Sequence, residues 1–195
     1  IITQIKPDEI YNLAAQSHVQ VSVDVPSYTM NVNCNGVINL LETVRRFCPK
    51  CKFYQASSSE MFGNSYDKDM CQRETTQMKP VSPYACSKLA AHTICSNYRN
   101  SYNLFICCGI LFNHESPRRG TNFVTNKVVK GAVRIKLNLQ ENLRLGNLDS
   151  KRDWGHAQDY IKAMHLMLNQ ENAKDWVVST MKTYSVRDLC EYVFN

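Results

Sequence analysis

Between Pro83 and Leu111 the sequence passes from a stretch with helical spacing into a continuous apolar run, Leu104-Phe-Ile-Cys-Cys-Gly-Ile-Leu111. That run is too short for an independent helix and has the character of a strand covered on both faces, which only a sheet flanked by helices provides. The same step recurs. Glu9 to Leu13 reads as a strand after Pro7. Pro26 and Ser27 open a helix to Phe47, with Val37, Leu40, Leu41 and Val44 at helical spacing and Pro49 as its stop. Lys52 to Ala56 is the next strand, and Pro83 suits the first turn of a helix running to about Ser101. Beyond Leu111 the pattern predicts a helix over Phe123–Leu139, a short strand over Leu143–Gly146, a helix over Ala157–Asn169 and a strand over Trp176–Ser179. Ser185-Val-Arg-Asp188 is spaced as a capping box for a last helix, and the opening Ile-Ile-Thr-Gln-Ile-Lys-Pro reads as the tail of one. This alternation predicts an α/β fold with a mainly parallel sheet.

Composition narrows the class. With 195 residues, 44% hydrophobic and 21% charged, a globular chain with a real core is expected and disorder is not. No apolar run approaches membrane-spanning length, and no secretory pattern opens the chain. The net charge of +6 is modest and no Lys/Arg block points to nucleic acid, although a phosphorylated substrate would suit it. The 9 cysteines are an odd number without regular spacing, which favours reduced thiols in the cytoplasm over a disulfide framework. Cys48-Pro-Lys-Cys51 is a lone C-x-x-C without a second pair at zinc spacing, so no metal is expected, and Cys107 and Cys108 read as small core residues.

Folds of this kind place ligands at the ends of parallel strands, and two such ends look chemical. Gln55-Ala-Ser-Ser-Ser-Glu60 on its own reads as a polar turn capping the next segment. Tyr84-Ala-Cys-Ser-Lys88 puts a phenol and an ammonium on one helical face, which on its own is an ordinary surface pair. The Ser-rich end lies one strand–helix step upstream of that pair. Serine, then tyrosine, then lysine is the arrangement of the short-chain dehydrogenase/reductase family, and the chain resembles its extended branch, whose members act on nucleotide sugars.

Longer strings narrow the resemblance. Leu13-Ala-Ala-Gln-Ser-His18, Phe53-Tyr-Gln-Ala-Ser-Ser-Ser-Glu60, Ser82-Pro-Tyr84, Gly109-Ile-Leu-Phe-Asn-His-Glu-Ser-Pro-Arg-Arg-Gly120, Phe123-Val-Thr125 and Leu145-Gly-Asn-Leu-Asp-Ser-Lys-Arg-Asp-Trp-Gly-His156 are similar to the GDP-mannose 4,6-dehydratase family along the whole chain. The resemblance implies a Rossmann-like, doubly wound parallel sheet, here incomplete. Residues 1–112 would be the central and C-terminal part of an NADP-binding domain. Residues 113–195 would contribute to the nucleotide-sugar-binding region and the last Rossmann elements.

The implied reaction converts GDP-mannose to GDP-4-keto-6-deoxymannose with NADP regenerated each turnover, a net lyase reaction on the way to GDP-fucose. A tyrosine with an ordinary pKa of about 10 is a poor base at neutral pH. A nearby ammonium and an oxidised nicotinamide favour its phenolate. By resemblance Tyr84 takes the C4 hydroxyl proton, Lys88 assists it and holds the nicotinamide ribose, and Glu60 removes the C5 proton. Epimerases and plain dehydrogenases have no need of that carboxylate. Ser58 stands where the family most often has threonine; it keeps the hydroxyl and loses the methyl that fixes its rotamer. Ser59 is local support. Leu13, Ala14, Ala15, Gln16 and Ser17 map to the loop beneath the nicotinamide half, with Tyr28 nearby. His114 and Arg119 map to further cofactor contacts, though His114 alone reads as a satisfied loop histidine. Asn113, Lys127 and Arg152 map to contacts with GDP-mannose, whose diphosphate needs donors and positive charge.

One departure stands out. The family's phosphate-binding turn is Gly-rich, and the 7 glycines here, at 36, 63, 109, 120, 131, 146 and 155, are not spaced that way. Together with the missing initiator Met, this points to part of a longer enzyme. The 195 residues alone are then expected to be inactive and marginally stable, with the first strand left at an open sheet edge. A homo-oligomer, dimer or tetramer, is implied by the resemblance. Two other readings stay open: a nucleotide-sugar epimerase or reductase on the same scaffold, and a non-catalytic fragment acting as an interaction module.

Overall fold

A computed structural model describes all residues, 1–195. Along the chain run α1 (Ile2–Ile5), β1 (Glu9–Asn12), α2 (Val19–Asp24), α3 (Pro26–Met30), a π turn (Asn31–Asn35) and α4 (Gly36–Phe47). Then come β2 (Lys52–Ser58), a 3-10 turn (Ser59–Phe62), α5 (Pro83–Tyr102), β3 (Ile106–Leu111), β4 (Asn113–Glu115) and α6 (Val124–Lys136). The chain closes with β5 (Lys151–Arg152), β6 (Trp154–His156), α7 (Ala157–Leu168), β7 (Asp175–Val178), β8 (Tyr184–Ser185) and α8 (Val186–Phe194). The residues group into two compact units, Ile1–Leu111 with Lys162–Val178, and Phe112–Ile161 with Ser179–Asn195. No helix is long and apolar enough to cross a membrane.

The first unit is built on a four-stranded sheet in the order β1-β2-β3-β7, parallel throughout. β3 is buried along its whole length, as its unbroken apolar sequence predicts. Its alternate side chains serve opposite faces. Ile106 and Cys108 join Phe53 in one core with Val37, Leu41 and Val44 of α4 and Ala91 and Cys95 of α5. On the opposite face, the Cys107 thiol donates to the Met167 carbonyl at 3.4 Å. Leu168 and Met167 are buried there, and Lys52 Nζ donates to the Leu168 carbonyl at 2.7 Å. The sheet is therefore doubly wound. At its β7 edge the outward Val177 N–H is occupied by the Glu74 carboxylate at 2.7 Å.

Two details depart from the sequence pattern. The helix expected from Pro26 to Phe47 is broken by the π turn, which buries Asn33 and Cys34. Val19-Gln-Val-Ser-Val-Asp24 alternates like a strand, yet it forms α2 with Ser22 as its buried residue. His18 Nδ1 accepts the Val21 N–H at 3.3 Å and caps it.

The second unit has two short strand pairs, β4 with β6 in parallel and β5 with β8 antiparallel, and α6 packs against α8. The Ser185–Asp188 capping box forms as spaced, with Ser185 N–H to Asp188 at 2.7 Å and Asp188 N–H to Ser185 at 3.0 Å. The strand expected over Leu143–Gly146 is absent, and that expectation is corrected. Leu143 instead packs on Gly131 of α6 so closely that a Cβ there would fall 2.8 Å from its methyl. The segment is an irregular strap docked on a helix, with no neighbouring strand to pair with.

Candidate active site

The site forms where β2 outruns one neighbour. β1 pairs with β2 only as far as Gln55, whereas β3 continues to Ser58. α5 takes over on the vacated side. Lys88 Nζ donates to the Ala56 carbonyl at 2.9 Å, and one turn further on His92 Nδ1 lies 2.9 Å from the Ser57 hydroxyl. Ser58 then accepts the Glu60 N–H at 3.2 Å, capping the 3-10 turn on which Glu60 sits half-buried. α5 packs against both β2 and this turn.

The start of α5 is fixed from several directions. Ser82 caps it by accepting the Ala85 N–H at 3.1 Å, and Pro83 occupies the first turn. The Tyr84 N–H donates to Ser22 of α2 at 3.0 Å, and Ser87 donates back to the Tyr84 carbonyl at 2.7 Å. Asn33 donates to Ser87 at 2.9 Å and to the Gln16 carbonyl at 3.0 Å, while accepting the Gln16 N–H at 2.8 Å. Gln16 reaches on to Thr29 at 3.0 Å. One buried amide thus ties the loop after β1 to the helix that carries Tyr84. Within that loop Leu13, Ala14 and Ser17 are exposed and Ala15 and Gln16 half-buried; Tyr28 of α3 is exposed.

Tyr84 and Lys88 share one face of α5, with the ammonium 5.9 Å from the ring centre. Both are buried, and burial pulls Lys88 down to about 8. At neutral pH it still carries a proton, so the phenol has a positive charge beside it. Lys88 thus holds the end of β2 directly and Ser58 caps the turn that carries Glu60, while Tyr84 shares a helix face with Lys88 and the loop of residues 13–17 is tied to the same helix. A phenol beside a buried ammonium is an arrangement that can take a proton from a bound hydroxyl. Sequence reasoning missed Ser22, Thr29, Asn33, Ser87 and His92; nothing in their local spacing marks a lone polar residue as buried, and the π turn that turns Asn33 inward has no sequence signal.

The other marked residues lie in the second unit. Asn113 and His114 stand on β4. The His114 Nδ1 is 2.9 Å from the Phe112 carbonyl, which can only accept, so Nδ1 donates to it. Its ring stacks on Tyr160 at 4.6 Å. Arg119 pairs with Glu115 at 3.3 Å and lies over the Phe123 ring at 3.6 Å, while Thr125 donates to the same Glu115 at 2.6 Å. Lys127 on α6 and Arg152 on β5 are exposed cations. Next to Arg152, Asp153 is buried and accepts both the Thr180 N–H, at 2.9 Å, and its hydroxyl, at 3.0 Å. Gly155 lies against the Tyr160 ring, where a Cβ would come within 2.4 Å. Two residues of the Arg-Asp-Trp-Gly-His string thus build the unit.

Residues 1–195 match the family model described as GDP-mannose 4,6 dehydratase. GDP-mannose 4,6 dehydratase 2 of Arabidopsis thaliana is 53% identical over 99% of this chain and 52% of its own length. The Homo sapiens GDP-mannose 4,6 dehydratase is 50% identical over 100% of this chain and 52% of its own. The chain therefore spans about half the length of these curated relatives. Among solved structures, RMD from Pseudomonas aeruginosa complexed with NADPH superposes with a TM-score of 0.89 at 28% identity, covering 95% of this chain and 64% of that one. A dTDP-glucose 4,6-dehydratase from Bacillus anthracis in complex with NAD shares the fold, with a TM-score of 0.83 at 24% identity over 98% of this chain and 57% of its own.

Proposed function

Since this chain belongs to the GDP-mannose 4,6-dehydratase family, we propose that the protein carrying it converts GDP-mannose to GDP-4-keto-6-deoxymannose with NADP as its cofactor. The observation that carries the reading is the Tyr84–Lys88 pair, whose ammonium is bonded to the end of β2 just ahead of the turn that carries Glu60. The residues present fit the nicotinamide end of such a cofactor. The Lys88 ammonium has three donors and spends one on Ala56, leaving others for a ribose, and the loop of residues 13–17 is held to α5 with part of its surface open. When bound, the nicotinamide would supply reversible hydride transfer at the hexose, which no side chain can.

The chain's own residues move protons around that transfer. Tyr84 takes the C4 hydroxyl proton, its phenolate favoured by the Lys88 charge, while Ser58 hydrogen-bonds the C4 oxygen. A C4 ketone acidifies the neighbouring C5–H; Glu60 removes that proton and hands it to the departing C6 hydroxyl, which leaves as water, and C5 regains a proton, balanced by the one Tyr84 took from the C4 hydroxyl, when C6 is reduced. Asn113, Lys127 and Arg152 are proposed to meet the GDP-sugar, and His114 and Arg119 the cofactor. The first unit would then supply part of the cofactor domain and the second part of the nucleotide-sugar region. A cytoplasmic homo-oligomer is proposed with it; the nine free cysteines support the compartment.

The test is Glu60→Gln in the full protein. The 4-keto-6-deoxy product should vanish while NADP still binds. Undiminished turnover would remove Glu60 from its role, and a C4-epimerised sugar formed by the unaltered protein would favour the epimerase reading.

A further inference from the structure

Behind the site lies a buried polar chain that the reaction does not use. Arg99 donates through Nε to the Ile106 carbonyl at 2.7 Å and pairs with Asp175 of β7. Asp175 in turn faces His92 Nε2 at 3.6 Å, and His92 Nδ1 meets Ser57 at 2.9 Å. The Ser57 hydroxyl and His92 Nδ1 are within hydrogen-bond length, and the Cys108 thiol is a further partner of the ring. His92 and Ser57 are both buried.

Three chemistries could be built from these groups, and two are excluded by the residues themselves. His92, Cys108 and Asp175 hold ligand atoms within 4.8 Å of one another. Arg99, however, already neutralises Asp175, and the Cys95 contact and burial push the Cys108 thiol well up, so it stays protonated and a poor metal ligand. The serine–histidine–aspartate order suggests a nucleophile, but the imidazole is reversed relative to a hydrolase triad and the hydroxyl is buried. What remains is orientation. Ser57 stands between Ala56, whose carbonyl holds Lys88, and Ser58, whose hydroxyl caps the Glu60 turn. This is the part of β2 that β1 no longer supports.

We propose that His92 is a positioning residue, which through Ser57 fixes the Ala56–Glu60 segment and with it the placement of Lys88 and Glu60. Its catalytic consequence rests on the dehydratase reading; its effect on Lys88 does not. The test is made on the full protein with two measurements. The first is the titration midpoint of the Lys88 ammonium by heteronuclear NMR. From a starting value of about 8, His92→Phe should move it upward by about one pH unit or more, because a loosened strand end lets water reach Nζ. His92→Asn, whose amide can sit where Nδ1 does, should leave it in place. Ser57→Ala breaks the same link without adding bulk and should move the midpoint as His92→Phe does, which keeps the test alive if the phenylalanine variant fails to fold. The second measurement is turnover of GDP-mannose: kcat falling about tenfold with KM changed less than about twofold, restored in His92→Asn. An unmoved Lys88 midpoint in folded His92→Phe or Ser57→Ala overturns the proposal. If the unaltered protein does not turn over GDP-mannose, the functional reading fails and the titration alone decides the role of His92.

Discussion

The two units treat their buried polar groups differently. In the first, Lys88, His92, Asn33 and Ser22 are buried on an apolar parallel sheet and all act toward one strand end and the start of one helix. In the second, the polar side chains largely satisfy one another, Asp153 with Thr180 and Arg119 with Glu115 and Phe123, and hold short strands together. A long parallel sheet is stable enough to carry a desolvated cation with no carboxylate beside it. Strands of two or three residues are not, and their charged groups are used for assembly.

That contrast can be broken by substitution, beginning with the largest effect. Tyr84→Phe should stop single-turnover cofactor reduction by GDP-mannose, with a loss of about a thousandfold or more; normal reduction would refute the assignment. Lys88→Met tests the cost of the desolvated cation. Because burial holds the folded value at about 8, below the unfolded one, the ammonium destabilises the fold fully below that pH, and the cost fades as pH rises toward the unfolded value of about 10.4. The methionine variant forgoes that cost but leaves the Ala56 carbonyl without its donor, so its stability relative to the unaltered protein should be highest at and below neutral pH and fall by up to about 3 kcal/mol in alkaline urea titrations. A pH-independent difference would contradict the burial argument. In the second unit, Asp153→Ala removes a buried carboxylate that accepts both the N–H and the hydroxyl of the exposed Thr180 and should cost about 2 kcal/mol in denaturant unfolding. Gly155→Ala, forced against Tyr160, should cost about 1–3 kcal/mol, whereas Gly146→Ala meets nothing within 4 Å and should change stability by about half a kcal/mol at most. Equal effects at the two glycines would mean that Tyr160 gives way freely.

The same contrast decides what the sequence reveals. Strands and helices of the first unit are legible because burial on both faces writes unbroken apolar runs such as Leu104–Leu111, and because prolines mark helix starts at 26 and 83. The short strands β4, β5, β6 and β8 carry no such record; their pairing depends on neighbours distant in sequence, and Leu143 was drawn to a helix surface instead. Tyr84 and Lys88 can be placed together by helical spacing alone. Glu60 acquires meaning only through resemblance, since a carboxylate after a serine run is locally a turn. His92 is invisible in sequence, one histidine on a long helix, until Ser57 and Asp175 are seen on either side of it.

The carboxylate of Glu74 on the Val177 amide has a consequence for how molecules meet. A foreign strand aligning along that border finds the Val177 donor already taken and must evict a charged group to gain that bond. Accretion by strand addition is thereby discouraged at this flank, and Glu74→Ala would be the change that invites it.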